Sequence, residues 1–251
     1  MRPLVTLLTD FGTADGYVAE MKGVLLTAVP DATIVDVAHD VAPQDTEGAR
    51  LAIARYWRRF PLGAVHLIVV DPGVGTDRAA LAIESDGRFL VGPDTGVLSP
   101  ALLIPGARAV QLSISAGAAV TFHGRDVFAP AAARLAAGTA LDQLGRAFSD
   151  AIIRRTPEPH RTDHGAVLGQ VIHIDRFGNA VTNLLAAHGG EVEIVGRVLP
   201  ISRTYADAAH GAYVAVAGSS GLVEVARRDG SAAAGLSLTR GTPVLLRSGP
   251  R

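Results

Sequence analysis

The sequence predicts an α/β domain with a mostly parallel sheet, followed by a smaller all-β domain, a barrel or a sandwich. Three observations carry this. Over residues 1–155 short apolar runs alternate with helix-length stretches, the rhythm of strands covered by helices. Residues 156–164, from Thr156-Pro157-Glu158-Pro159 to Asp163-His164, are polar and broken by proline, and read as a linker. Residues 165–251 carry short strand candidates punctuated by glycine pairs and Ser-Ser-Gly, with no strong helical pattern.

The elements follow in order. Leu4–Leu8 is a buried strand ending at Thr9-Asp10-Phe11-Gly12. Met1–Leu8 resembles the start of a signal peptide, but Asp10 and Gly12 cut the apolar run short. Asp15–Val29 is a helix, with Val18, Met21, Val24 and Leu25 near helical spacing, and Pro30-Asp31 breaks it. Thr33–Val37 is a β-branched strand, and Asp45–Phe60 is a helix stopped by Pro61-Leu62-Gly63. Val65–Val70 reads as a strand buried on both faces, running into Asp71-Pro72-Gly73-Val74-Gly75-Thr76. Leu81–Glu84 and Phe89–Val91 flank Asp86-Gly87, a hairpin signal. Asp126–Ala137 is a third helix. Ala166–Ile174, Glu191–Ile194, Tyr213–Ala217, Leu222–Ala226 and Pro243–Leu246 are strand candidates of the second domain.

Composition narrows the function. The 251 residues hold 23 Lys+Arg against 24 Asp+Glu, a net charge of −1, which argues against a dedicated nucleic-acid partner. Without cysteine there is no thiolate nucleophile and no Cys-ligated metal centre. No apolar run approaches the ~20 residues of a membrane span, so a cytoplasmic protein without a membrane partner is the default. Neither His-Glu-x-x-His nor Gly-x-Ser-x-Gly occurs, which disfavours zinc and serine hydrolases. Gly73-Val74-Gly75 lacks the remainder of a phosphate loop.

Four polar segments lie where an α/β sheet usually places its site, after strand ends: Thr9–Gly12, Asp71–Arg78, Phe122-His123-Gly124-Arg125-Asp126, and Asp175-Arg176-Phe177-Gly178-Asn179. Taken singly, each has an ordinary use as a turn, a cap, a packed histidine or a helix-start ion pair. Together they offer an acid, a fixed cation and a titratable imidazole. The other histidines (His39, His66, His160, His164, His173, His188, His210) are scattered and read as surface or packing, as does Lys22, the lone lysine.

These segments, with Asp15-x-Tyr17-Val18, Met21-Lys22-Gly23 and Gly92-Pro93-Asp94, resemble the S-adenosyl-L-methionine (SAM) hydroxide adenosyltransferases, or SAM hydrolases. These are relatives of the fluorinase and chlorinase, and the resemblance covers essentially the whole chain. It implies a C-terminal β-barrel and a homotrimer, with SAM held between the N-terminal domain of one subunit and the C-terminal domain of the next. It implies hydrolysis of SAM to adenosine and L-methionine with no cofactor, SAM being the substrate. A SAM-dependent halogenase or a SAM/adenosine sensor are the alternatives. The hydrolase triad carries over to Asp71, Arg78 and His123, and the implied substrate contacts to Asp10 (ribose), Asp175 (methionine ammonium), Phe177, Asn179 and Ser219. Halogenases differ at the Asp and His positions, and the fluorinase has an insertion after the Arg region that this sequence lacks. Ser220 stands where halogenases have Arg, Gln44 where the fluorinase has an aromatic, and Thr95 where many relatives have Asn.

Overall fold

The structure, a computed structural model, describes residues 2–186 and 189–247; Met1 and His188 lie outside them. It divides into two compact units, one up to Arg155 and one from Thr156.

The first unit contains strands β1 (Leu4–Thr9), β2 (Thr33–Ala38), β3 (Val65–Val69), β4 (Ala80–Ser85), β5 (Arg88–Pro93), β6 (Arg108–Leu112) and β7 (Gly145–Ala147). Its helices are α1 (Tyr17–Ala28), α2 (Thr46–Tyr56), α3 (Ser99–Leu102) and α4 (Ala129–Ala136). The strand order is β2-β1-β3-β5-β4-β6-β7. The first four of these are mutually parallel, and β4, β6 and β7 join by antiparallel pairings. β1 and β3 are apolar because both faces are covered. Val5, Leu7, Val65 and Leu67 pack with Met21 and Leu25 of α1 and with Phe128 before α4. Leu8 and Ile68 pack on the other face with Ile53 and Trp57.

Three helix ends differ from the sequence expectation, each for a local reason. α1 begins at Tyr17 because Gly16 is left-handed, with φ +80°. α2, capped by the Asp45 carboxylate accepting from Gly48 N at 3.0 Å, gives way to a 3₁₀ turn at Trp57–Arg59. The third predicted helix opens earlier, in a wide π turn at Gly124–Phe128, with Ala129 N–H bonded back to Gly124 O. Pro130, in the first turn of α4, has no N–H to return to Asp126, so the regular ladder cannot run straight through. The Asp86-Gly87 hairpin is present, with φ +46° and +68°, the left-handed pair a two-residue turn requires.

The second unit contains β8 (His160–Arg161), β9 (Val167–Ile174), β10 (Ala180–Leu185), β11 (Glu191–Ile194), β12 (Arg197–Ser202), β13 (Tyr213–Ala217), β14 (Leu222–Arg227) and β15 (Pro243–Arg247). Helix α5 spans Ala232–Leu236. The order β10-β14-β13-β12-β11-β15-β9, closed by pairing of β9 with β10, makes a seven-stranded barrel, and β8 adds to β9. Val171, Leu184, Val192, Ala215, Val225 and Val244 fill it. Periodicity hides β10 because Thr182 and Asn183 are polar yet buried. The hydroxyl of Thr182 donates to Val223 O at 2.8 Å. The Asn183 amide accepts from Gln170 N and donates to Pro157 O, both at 2.7 Å.

Candidate active site

In the first unit the site begins with register. Thr9 of β1 pairs with Val69 of β3, so Asp10 and Asp71 leave neighbouring parallel strands at nearly the same level. β2 and β3 flank β1 on opposite sides, so the chain reverses its direction of travel there, the crevice where open α/β sheets bind ligands. Asp10 Oδ2 accepts from Gln44 N at 2.7 Å.

The loop from Asp71 to Arg78 folds its two ends together. Arg78 Nε donates to Asp71 Oδ1 at 2.8 Å and Nη2 donates to Asp71 Oδ2, a bidentate fork. The two side chains are only 8% and 5% exposed, so neither charge is left to water and the pair depends on its geometry. The glycines build the loop rather than a phosphate cradle. A Cβ on Gly73 would lie 3.1 Å from Arg78 Cγ, and Gly75, at φ +78°, lies where a Cβ would meet Val120 at under 3 Å.

His123 joins this pair from the start of the π turn. Arg78 Nη2 reaches His123 Nδ1 at 2.9 Å. Guanidinium only donates, so Nδ1 is the acceptor and the ring proton sits on Nε2. Burial, then the Arg78 charge, holds the imidazole below its usual range, against weaker opposing pulls from Asp71 and Asp126. Arg78 also lies over the Phe128 ring, 5.2 Å from its centroid. One cation thus couples the acid and the imidazole.

Neighbouring polar groups are structural. Arg125 pairs with Asp126 and Glu20, and Asp126 accepts from Ala119 N at 2.8 Å. Phe11, Tyr17 and Phe122 form an aromatic trio with centroids 5.3–5.8 Å apart. Asp94 accepts from Ile152 N at 2.8 Å, and Arg154 Nε donates to Thr95 O at 2.8 Å, so the Gly92–Thr95 segment pins residues 152–154. The Thr95 hydroxyl itself is buried without a hydrogen-bond partner.

In the second unit Asp175, Phe177 and Asn179 share the β9–β10 turn. Asp175 Oδ1 accepts from the backbone N–H of Phe177 (2.9 Å) and of Asn179 (2.8 Å), and Oδ2 accepts from Asn179 Nδ2 at 3.0 Å. The carboxylate therefore organises its own turn, while the Phe177 ring is 80% exposed. Ser219 is not brought to them. It lies in the β13–β14 turn, which meets the Leu185 end of β10 through Ala186 N and Gly221 O, whereas the Asp175 turn precedes the Ala180 end.

Two residues read from sequence as surface or packing, His39 and Lys22, also converge on the first unit's site. Thr9, His39, Asp36 and Lys22 form a hydrogen-bonded chain. The 30 positions between Thr9 and His39 hide it, and the one signal in the sequence is the lone lysine inside Met21-Lys22-Gly23, a segment that carries the family resemblance. Among the described residues no group of three or more His, Asp or Glu is arranged to hold a metal.

The family model of the SAM hydroxide adenosyltransferase N-terminal domain matches residues 5–145, and that of the C-terminal domain matches residues 169–245. The chain belongs to the SAM hydroxide adenosyltransferases. A relative from Thermus thermophilus named (R)-S-adenosyl-L-methionine hydrolase is 45% identical over 259 residues, covering 98% of this chain and 100% of that protein. A fluorinase from Nocardia brasiliensis is 31% identical over 298 residues, covering 99% of this chain and 98% of that one. The crystal structure of an uncharacterized conserved protein from Thermotoga maritima superposes with a TM-score of 0.87 at 29% identity, covering 96% of this chain and 99% of that chain. In this adenosyltransferase β4 begins at Ala80, two residues after Arg78, which leaves no inserted segment there.

Proposed function

We propose that the protein hydrolyses SAM to adenosine and L-methionine. The observation that carries this is the buried Asp71–Arg78–His123 cluster in a chain of this family, whose hydrolase relative is closer than its fluorinase relative.

The chemistry asks for little acid and some base. Water attacks C5′ in line with the C5′–S bond. The C5′–O bond forms as the C5′–S pair departs with sulfur, so methionine leaves as a neutral thioether. The attacking water sheds one proton. Arg78 stays protonated and is not the base; it holds Asp71 and His123 and favours developing hydroxide. Asp71 accepts the proton, its carboxylate having lone pairs beyond those Arg78 occupies, an effect worth ~10²–10⁴ in rate; His123, with Nδ1 engaged by Arg78 and Nε2 protonated, has none free. Asp10 accepts the ribose hydroxyls, and Asp175, Phe177 and Asn179 serve the methionine and adenine ends. Ser219 rests on the resemblance alone. SAM brings its own leaving group, so the reaction needs no cofactor.

The same proposal places the enzyme in the cytoplasm as a homotrimer with sites shared between subunits. The exposed Phe177 ring supports sharing, and light scattering at three chain masses is the result expected. Among the described residues no helix is long and apolar enough to cross a membrane.

Incubation with SAM and chromatography test the activity. Adenosine with methionine is expected. 5′-Methylthioadenosine, no product, or a chloride-dependent 5′-chloro-5′-deoxyadenosine overturns it. Asp71→Asn is expected to abolish turnover while SAM still binds; an unchanged low rate would instead identify a sensor.

A further inference from the structure

Asp10 is bracketed by one residue that is distant in sequence. The ring of His39 meets Thr9 on one side of it, Thr9 Oγ1 lying 2.9 Å from Nδ1. The His39 carbonyl accepts from Gly12 N on the other side at 2.7 Å. Thr9 is fully buried and His39 is 7% exposed. The ring is held in turn, with Nε2 3.0 Å from Asp36 Oδ1 and Lys22 Nζ 2.6 Å from Asp36 Oδ2.

The polarity of the chain is set by donor and acceptor capacity. Carboxylate only accepts, so Nε2 carries a hydrogen toward Asp36. With the ring neutral, Nδ1 accepts the Thr9 hydroxyl proton, and the Thr9 oxygen accepts from Phe11 N at 3.3 Å. The Thr9 side of Asp10 is thereby tied through the imidazole to a carboxylate that Lys22 anchors, while the Gly12 side is tied to the main chain of the same histidine. The Asp10 side chain is fixed separately, by Gln44 N. A carboxylate meant to receive two vicinal hydroxyls needs this restraint, because supporting hydrogen bonds locate a binding group to within a fraction of an ångström.

We propose that Thr9, His39, Asp36 and Lys22 form a positioning relay that sets Asp10 for the ribose diol and so determines preference for ribo over 2′-deoxyribo substrates. The proposal rests on Asp10 holding the ribose. None of the four residues touches the reacting atoms, so their effect falls on KM and on sugar discrimination, while kcat for SAM stays within about twofold.

The test compares kcat/KM for SAM and for 2′-deoxy-SAM in the full-length enzyme. A hydrogen bond to a charged acceptor carries roughly ten- to hundredfold in affinity, so the parent enzyme is expected to favour SAM by at least about tenfold. Thr9→Val keeps the shape and removes the hydroxyl; it and Asp36→Asn are expected to lower that preference at least fivefold through KM. Thr9→Ser, which restores the hydroxyl, is expected to recover it. A preference unchanged in Thr9→Val and Asp36→Asn, with melting temperature alone reduced, overturns the relay. Asp10→Asn separates the underlying assignment: if it leaves the preference intact, Asp10 does not hold the ribose and both fall. If it abolishes the preference while Thr9→Val does not, only the relay falls.

Discussion

At the scale of single residues, Arg78 is the hinge of the site. Its Nε and Nη2 serve the carboxylate and Nη2 also reaches the imidazole. Lysine offers a point charge without the fork, so Arg78→Lys is expected to lower kcat about 10²–10³-fold with KM changed little, read by steady-state assay. His123 imposes a pH limit. Its Nδ1 accepts from Arg78 only while neutral, and burial with the Arg78 charge lowers its pKa. Turnover is therefore expected to fall on the acid side with a midpoint below the ordinary imidazole value of about 6.5. His123→Asn keeps an acceptor at that place without titrating, and should abolish the limb in a kcat–pH profile. The segments that hold Asp71, Arg78 and His123 were legible in the sequence because short polar segments follow strand ends, and the family resemblance alone singled out these three residues within them. The chain from Thr9 to Lys22 was not, because a hydrogen bond between residues 30 positions apart leaves no periodic trace.

Among the elements, β3 shows how burial writes itself into stability. His66 lies wholly buried in this strand, among the rings of Tyr56, Trp57 and Phe60, with Nδ1 2.8 Å from the Thr6 hydroxyl. Burial, reinforced by the Arg88 charge, pushes its pKa down to about 4. The unfolded chain binds this proton near pH 6.5 and the folded one does not, so stability is full above about 6.5 and is lost as pH falls toward 4. The loss amounts to about 3 kcal/mol. Urea midpoints at about pH 7.5 and about pH 5, either side of the unfolded-state value, should show it, and His66→Asn should flatten this component. The long apolar strands and the helices on them were legible from pattern. Helix ends were not, since Gly16, the 3₁₀ turn at Trp57–Arg59 and the π turn before Pro130 answer to local backbone chemistry and packing.

For the whole molecule, the candidate residues fall in two units with separate cores. Residues 2–155 and 156–251 expressed separately are expected to melt cooperatively, while neither alone releases adenosine from SAM; circular dichroism and product chromatography check this. Reading along the chain was enough for the fold class, the change of texture near residue 156 and the segments that carry the family. These depend on composition and short-range order, which need no third dimension. The closure of the barrel through β9 and β10, the separation of Ser219 from Asp175, and the meeting of Arg78 with His123 across 45 positions emerged only with the folded chain. Each depends on strand register and on side chains brought together by burial, and hydrophobic pattern carries no record of which distant partners will meet.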